Sequence, residues 1–253
     1  MKWTRRRTTK VVGGVLLVVV VLYAVFLNSV RPQMDIMYCM VTMKGLQIAF
    51  HSYHDEYGTF PPAYTVDTDG NRLHSWRTLL LPYLNEEMYE KIRLDEPWNS
   101  EYNRQFHDKP WFIWPSGNGT ECCSPVVRRK LPYGKKTGQY TNFMVVEGPG
   151  LVFDGSNSTK IKELHRGTSN TILLIESTVA VPWMCPIDLP IDAVQQGTVP
   201  HGSGILGIGD HRNRRISLFC LTDGSVHVKT PETLSQDLLP KLFYKDETAI
   251  FPW

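Results

Sequence analysis

Apolar and polar positions change rhythm along this chain, and each change predicts a different element. Residues 11–30, VVGGVLLVVVVLYAVFLNSV, contain no charged side chain. A helix needs about 20 apolar residues to cross ~30 Å of hydrocarbon, so the run predicts a transmembrane helix. It lacks the small-residue Ala-x-Ala site that would end a cleavable signal peptide. From residue 36 the pattern becomes amphipathic. Ile36, Met40, Met43, Leu46, Phe50, Tyr53 and Tyr57 follow one another at intervals of 4, 3, 3, 4, 3 and 4, which aligns them as one helical stripe. The helix is therefore expected to continue beyond the membrane, with Pro32 bending it near the bilayer surface and Gly45 weakening it by up to ~1 kcal/mol relative to alanine. Gly58 suits a left-handed helix cap and Pro61-Pro62 cannot extend a helix, so the rod is expected to stop at Tyr57.

Past that stop the periodicity shortens. HSWRTLLLPYLNEEMYEKI, residues 74–92, reads as one or two short helices broken at Pro82. Residues 95–138 carry Pro, Gly, Trp and charge without a period and are read as irregular loop. Strand patterns follow in YTNFMVVEG from Tyr140, GLVFDG from Gly150 and NTILLIES from Asn170, each bounded by turn residues. RISLFCLTDGSVHVK, residues 215–229, reads as a hairpin turning at Asp223-Gly224. A long N-terminal helix, then short helices, then antiparallel strands make an α+β protein whose helix packs on a sheet.

Charge gives this arrangement a direction. Lys2, Arg5, Arg6, Arg7 and Lys10 precede the span, and clustered basic residues stay on the cytoplasmic side. This divides the chain into a cytoplasmic tail (1–10), a transmembrane helix (11–30) and an extracytoplasmic domain (31–253), and places the protein in the inner membrane. The chain has 27 basic residues; without those five, 22 remain against 25 acidic ones, so the outer domain is close to neutral and nucleic acid is not an expected partner. Membrane lipid is. An extracytoplasmic setting permits disulfides, but Cys39, Cys122, Cys123, Cys185 and Cys220 are odd in number and give no readable pairing.

Chemical signatures are sparse. The chain has no His-Glu-x-x-His, no phosphate-cradling Gly-rich loop ending in Lys-Ser/Thr, and no Gly-x-Ser-x-Gly elbow. HGSG at 201–204 has no nucleophile to serve. His51 and Asp55 are four apart and could pair, and His51 and His54, three apart, have a spacing that a metal could use, yet two histidines lack a third ligand, and a histidine near a helix C-terminus is favoured by the dipole alone. DTDGN from Asp67 resembles a calcium loop, but its twelfth position is Thr78 rather than a bidentate Glu, so a solvated turn is expected. No catalytic residue, metal or cofactor is assigned. Trp76, Trp98, Trp111, Trp114 and Trp183 are read chiefly as core rings, with an aromatic ligand groove as the alternative.

Several blocks, taken in order, resemble a bacterial family. CMVTMKGLQIAFHSYHDEYGTFPPAY, HSWRTLLLPYLNEEMYEKIRLDEPWNS, YTNFMVVEGPGLVF, RGTSNTILLIES, VPWMCPIDLP and LFCLTDGSVHV are similar to the blocks of the domain-of-unknown-function family 1559, pilin-related and abundant in planctomycetes. The resemblance runs from Cys39 to about residue 230. It implies a pilin-like fold and a structural or assembly role at the cell envelope, with other pilin-like or secretion-system proteins as partners. Typical members carry a Gly-Phe-Thr-Leu-x-Glu leader motif; none occurs between Met1 and Val11, so the N-terminus is expected to stay as an unprocessed anchor. The family's C-terminal signature sets nine residues between a His and Asp-Gly. Here eleven separate His211 from Asp223, and His211 is carried over as the equivalent residue across a two-residue loop insertion. An anchored ligand-binding or sensing module is the alternative role, with His74, Trp76, Trp98, His211 and Asp223 as its candidate groove.

Overall fold

The computed structural model describes residues 2–109, 140–196, 217–230, 232–235, 237–247, 250 and 252. A single helix, α1, runs from Lys2 to Tyr57, and its helical assignment passes through Pro32 without interruption. Its two halves live in different surroundings. From Val15 to Phe26 every large apolar side chain is 51–66% exposed, whereas Cys39, Met43, Leu46, Ala49 and Phe50 are buried. The expected stripe is thus the packing face, apart from Tyr57, which lies exposed beyond the last covered turn. Gly58 caps the helix as expected: at φ +73° its N–H donates to the His54 carbonyl at 2.7 Å. Among the described residues no helical stretch is long and apolar enough to cross a membrane. The apolar run with described side chains, 13–27, is by itself shorter than the ~20 residues a span needs.

Short elements follow α1. Strands β1 (Tyr64–Val66) and β2 (Arg72–Ser75) pair antiparallel around a turn at Asp67–Asn71. Three single-turn helices come next: α2 (Trp76–Leu79), α3 (Leu81–Leu84) and α4 (Glu86–Tyr89). The break expected at Pro82 falls two residues earlier, at Leu80, because Pro82 sits in the first turn of α3, where its missing N–H costs nothing. Ser75 Oγ accepts from the Arg77 amide at 3.0 Å, and the Asn85 side chain accepts from the Met88 amide at 3.3 Å, so α2 and α4 each start on a side-chain cap.

The main sheet has four antiparallel strands in the order β3 (Tyr140–Met144), β5 (Ile172–Pro182), β7 (Ser217–Leu221), β8 (Val226–Lys229). A small parallel pair, β4 (Val146–Glu147) with β6 (Leu189–Pro190), leads into the short helix α5 (Ile191–Gln195). GLVFDG, expected as a strand, forms only isolated bridges. Gly150 (φ +77°) and Gly155 (φ +61°) turn the chain at either end, although Leu151, Val152 and Phe153 between them are buried.

Both faces of the sheet are covered. Phe143, Leu174, Leu218 and Cys220 share one core with Met43, Leu46 and Phe50 of α1. Met144, Ile175, Phe219 and Leu221 share a second with Ile191 and Val194 of α5 and with Leu234, Leu239, Leu242 and Phe243 of the C-terminal segment. That is why β5 and β7 read as continuous apolar runs: with no solvated face, alternation has nothing to report.

The β7–β8 connection is a three-residue loop, Thr222–Gly224. The Gly224 N–H donates to the Leu221 carbonyl at 3.0 Å and the Leu221 N–H to the Ser225 carbonyl at 2.9 Å, with Gly224 at φ +89°. A Cβ at Gly224 would lie 2.5 Å from Gln47 Nε2 on α1. Gly224→Ala is expected to lower stability by about 1–2 kcal/mol, from left-handed strain plus the Gln47 collision. Adding Gln47→Ala should recover the collision part alone, leaving about 1 kcal/mol, as read by a double-mutant cycle in chemical denaturation.

Candidate functional site

The C-terminal end of α1 holds two loops by their backbones. His51 Nε2 faces the Thr222 carbonyl at 2.8 Å, so it donates to the β7–β8 turn. One turn later His54 Nε2 accepts from the Ile161 N–H at 3.3 Å. The Phe60 ring lies against both imidazoles, at 5.8 and 5.3 Å. The same turn is fixed from its other side: the Thr222 N–H donates to the Thr171 carbonyl, Thr222 Oγ1 to the Thr168 carbonyl at 2.7 Å, and the Asp223 N–H to the Thr168 carbonyl. The pair read as possible metal ligands is therefore committed to two different backbone segments. Among the described residues no group of three histidine, cysteine or acidic side chains is placed to hold a metal. Asp67 accepts from the Asp69 and Asn71 amides and from Asn71 Nδ2, which makes DTDGN a self-capped turn, with Asn71 holding the Asp67 carboxyl below its usual range.

The five residues of the expected groove have separate placements. His74 is buried on β2, with Nε2 donating to the Glu96 carbonyl at 2.8 Å. Trp76 is fully buried; it stacks near Phe50 at 4.9 Å and donates from Nε1 to Asp188 Oδ2 at 3.1 Å, so it offers no ring to a ligand. Trp98 is half-buried beside this segment. Its amide donates to the Leu73 carbonyl and its indole stacks on His107 at 5.1 Å. Asp223 belongs to the hairpin turn and accepts from the Ser225 amide and hydroxyl at 2.9 and 2.6 Å. His211 lies outside the described residues, as do Trp111, Trp114, Cys122, Cys123 and residues 201–204. His74, Trp76 and Trp98 are thus neighbours around β2, while Asp223 lies in the β7–β8 turn, bonded to Ser225 and Thr168.

Sequence reasoning passed over the most heavily bonded polar groups. Arg77 Nη2 meets Asp188 Oδ1 at 2.7 Å and Nη1 meets Oδ2 at 3.2 Å, with both side chains buried. Asp188 also accepts from the Val145 amide at 3.1 Å, and Arg77 donates to the Phe143 carbonyl at 3.0 Å. Burial pushes the Asp188 carboxyl up, against the opposing pull of the Arg77 guanidinium 2.7 Å away. The signal available was a charge embedded in each of two apolar runs, SWRTLLL and MCPIDLP. A second buried carboxylate, Glu176, accepts from Asn142 Nδ2 at 3.1 Å and from the Cys39 thiol at 3.6 Å. Cys39, Cys185 and Cys220 are buried, and burial pushes the Cys220 thiol up to about 12.

The described residues line at least two open pockets. One, of about 370 Å³, sits at the tip of α1 between His54, Tyr57 and Lys160–Lys162. The other, of about 290 Å³, has Glu147, Asp154 and Asp192 around Tyr64, with Arg72 lying 3.7 Å over the Tyr64 ring and bonded to Glu147 at 3.1 Å.

Asp188→Ala leaves a buried guanidinium without its partner and is expected to cost about 3–5 kcal/mol, read by denaturant unfolding. The double change Arg77→Met, Asp188→Leu should cost far less than the two single changes summed. His74 has a second, pH-dependent signature: burial pushes its pKa below the usual value against the Glu96 and Arg93 carbonyls. A histidine held neutral in the fold contributes stability above about pH 6.5, and that stability is lost as pH falls through the depressed value. The thermal midpoint should therefore start to drop as pH falls below about 6.5, and His74→Gln should flatten that slope.

No curated protein and no solved structure matches this chain. A protein family does. The sequence profile described as protein of unknown function (DUF1559) matches residues 29–230, from inside the rod of α1 to the end of β8, and so takes in the helix–hairpin clasp, the Arg77–Asp188 pair and both pockets. The chain belongs to the DUF1559 family.

Proposed function

We propose that this protein is a single-pass, membrane-anchored, pilin-like component of the cell envelope with a structural or assembly role. One observation carries the reading. A single unbroken helix exposes its apolar residues from Val15 to Phe26 and buries its stripe from Cys39 to Phe50 against a sheet, so one rod serves two solvents. Water is a costly medium for the first half at roughly 25 cal/mol per Å² of apolar surface, and hydrocarbon is the medium that suits it. The sequence supplies the length, since the uncharged run extends over 11–30. It also supplies the polarity, because the preceding Lys/Arg cluster favours a cytoplasmic N-terminus and an outward head. Family membership supports a pilin-like helix-on-sheet arrangement. An anchored ligand-binding module is the second reading, and the basic pocket at the tip of α1 favours it.

The full-length chain is expected to sediment with membranes, to resist extraction by high salt or carbonate, and to be released by detergent. Replacing Leu17 and Val20 by Arg adds about 2.5–3.5 kcal/mol per residue to insertion and should move the protein out of the membrane fraction. Release of the unaltered protein by salt alone would overturn the anchor reading.

A further inference from the structure

We infer that the open pocket at the distal tip of α1 is an anion-binding site for a phosphorylated, sugar-sized ligand. Its volume of about 370 Å³ lies in the ~300–1,000 Å³ range of small-ligand sites. Lys160 and Lys162, flanking Ile161, are among its lining residues, and neither forms an ion pair with a carboxylate among the described residues. His54 lines it as well, with Nε2 accepting from the Ile161 N–H at 3.3 Å. Tyr57, more than half exposed, supplies an aromatic wall against which a sugar ring can lie.

Negative charge also stands nearby. The C-terminus of α1 contributes about half an elementary negative charge. Glu56 is held by two tyrosines, accepting from the Tyr83 hydroxyl at 2.7 Å and hydrogen-bonded to Tyr57, and Glu163 is drawn towards Lys245 at 3.9 Å. Lysine acts as a point charge rather than a planar fork, which suits a phosphate approached from several directions better than a bidentate carboxylate.

The choice of source rests on the anchored reading above. If residues 11–30 occupy the bilayer, the helix from 31 to 57 rises about 40 Å at ~1.5 Å per residue. The pocket then lies beyond the reach of the headgroups of that membrane, and the phosphate must belong to a soluble or wall-attached saccharide.

The test titrates detergent-solubilised full-length protein with glucose 6-phosphate, inorganic phosphate and glucose, followed by calorimetry. Glucose 6-phosphate is expected to bind more tightly than either half-ligand, with affinity falling as salt rises. Lys160→Gln with Lys162→Gln should weaken it roughly tenfold or more, while Lys91→Gln with Lys109→Gln, an equal charge loss elsewhere, should leave it unchanged. A thermal melt confirms that both double variants fold. Equal binding by both variants, inorganic phosphate matching the sugar phosphate, or no binding by any probe would overturn the inference. Because membrane extraction is scored separately, a failed pocket and a failed anchor give different results.

Discussion

The head depends on one buried ion pair. Arg77 and Asp188 sit where three segments meet: Asp188 takes the Val145 amide and the Trp76 indole, and Arg77 takes the Phe143 carbonyl. Each segment alone carries polar groups it cannot satisfy in an apolar interior, and only the assembled trio pairs them. A pair of this kind adds little net stability compared with an apolar replacement, because desolvation offsets most of the attraction. Its contribution is to specify an arrangement: the short helices, the end of β3 and the loop before β6 fit together in one register.

Around that point the sheet acts as a partition. Its first face takes the stripe of α1 and its second takes α5 and the C-terminal segment, so the two cores touch opposite sides of the same strands. The long helix is therefore held by only part of its length, and the end nearest the hairpin is clasped by polar as well as apolar contacts. His51, Gln47 and Gly224 bring the tip of β7–β8 against α1 so closely that a side chain at position 224 would have to push the Gln47 amide aside.

What the sequence disclosed follows from what has a period. The stripe from Ile36 to Tyr53, the cap at Gly58 and the Asp223-Gly224 turn were legible because helices and tight turns constrain residue type position by position. The second face of the sheet was not, since Leu234, Leu239, Leu242 and Phe243 lie in turns and a 3₁₀ segment without a regular apolar rhythm. GLVFDG misled because apolar residues buried between two left-handed glycines look like a strand while pairing only through isolated bridges. In the candidate site, His51 and His54 drew attention by type, yet their partners are backbone groups more than a hundred residues away, which no local pattern encodes. Trp76 was visible as an aromatic but not as the indole that completes a buried carboxylate.

The clasp between His51 and Thr222 joins positions 171 residues apart. During synthesis the helical stripe emerges long before the hairpin that will cover it, so Met43, Leu46 and Phe50 face the surroundings until the ribosome has passed residue 222. Contacts this distant along the chain close slowly. In that interval the apolar ridge of α1 is open to any holdase chaperone that covers exposed apolar surface.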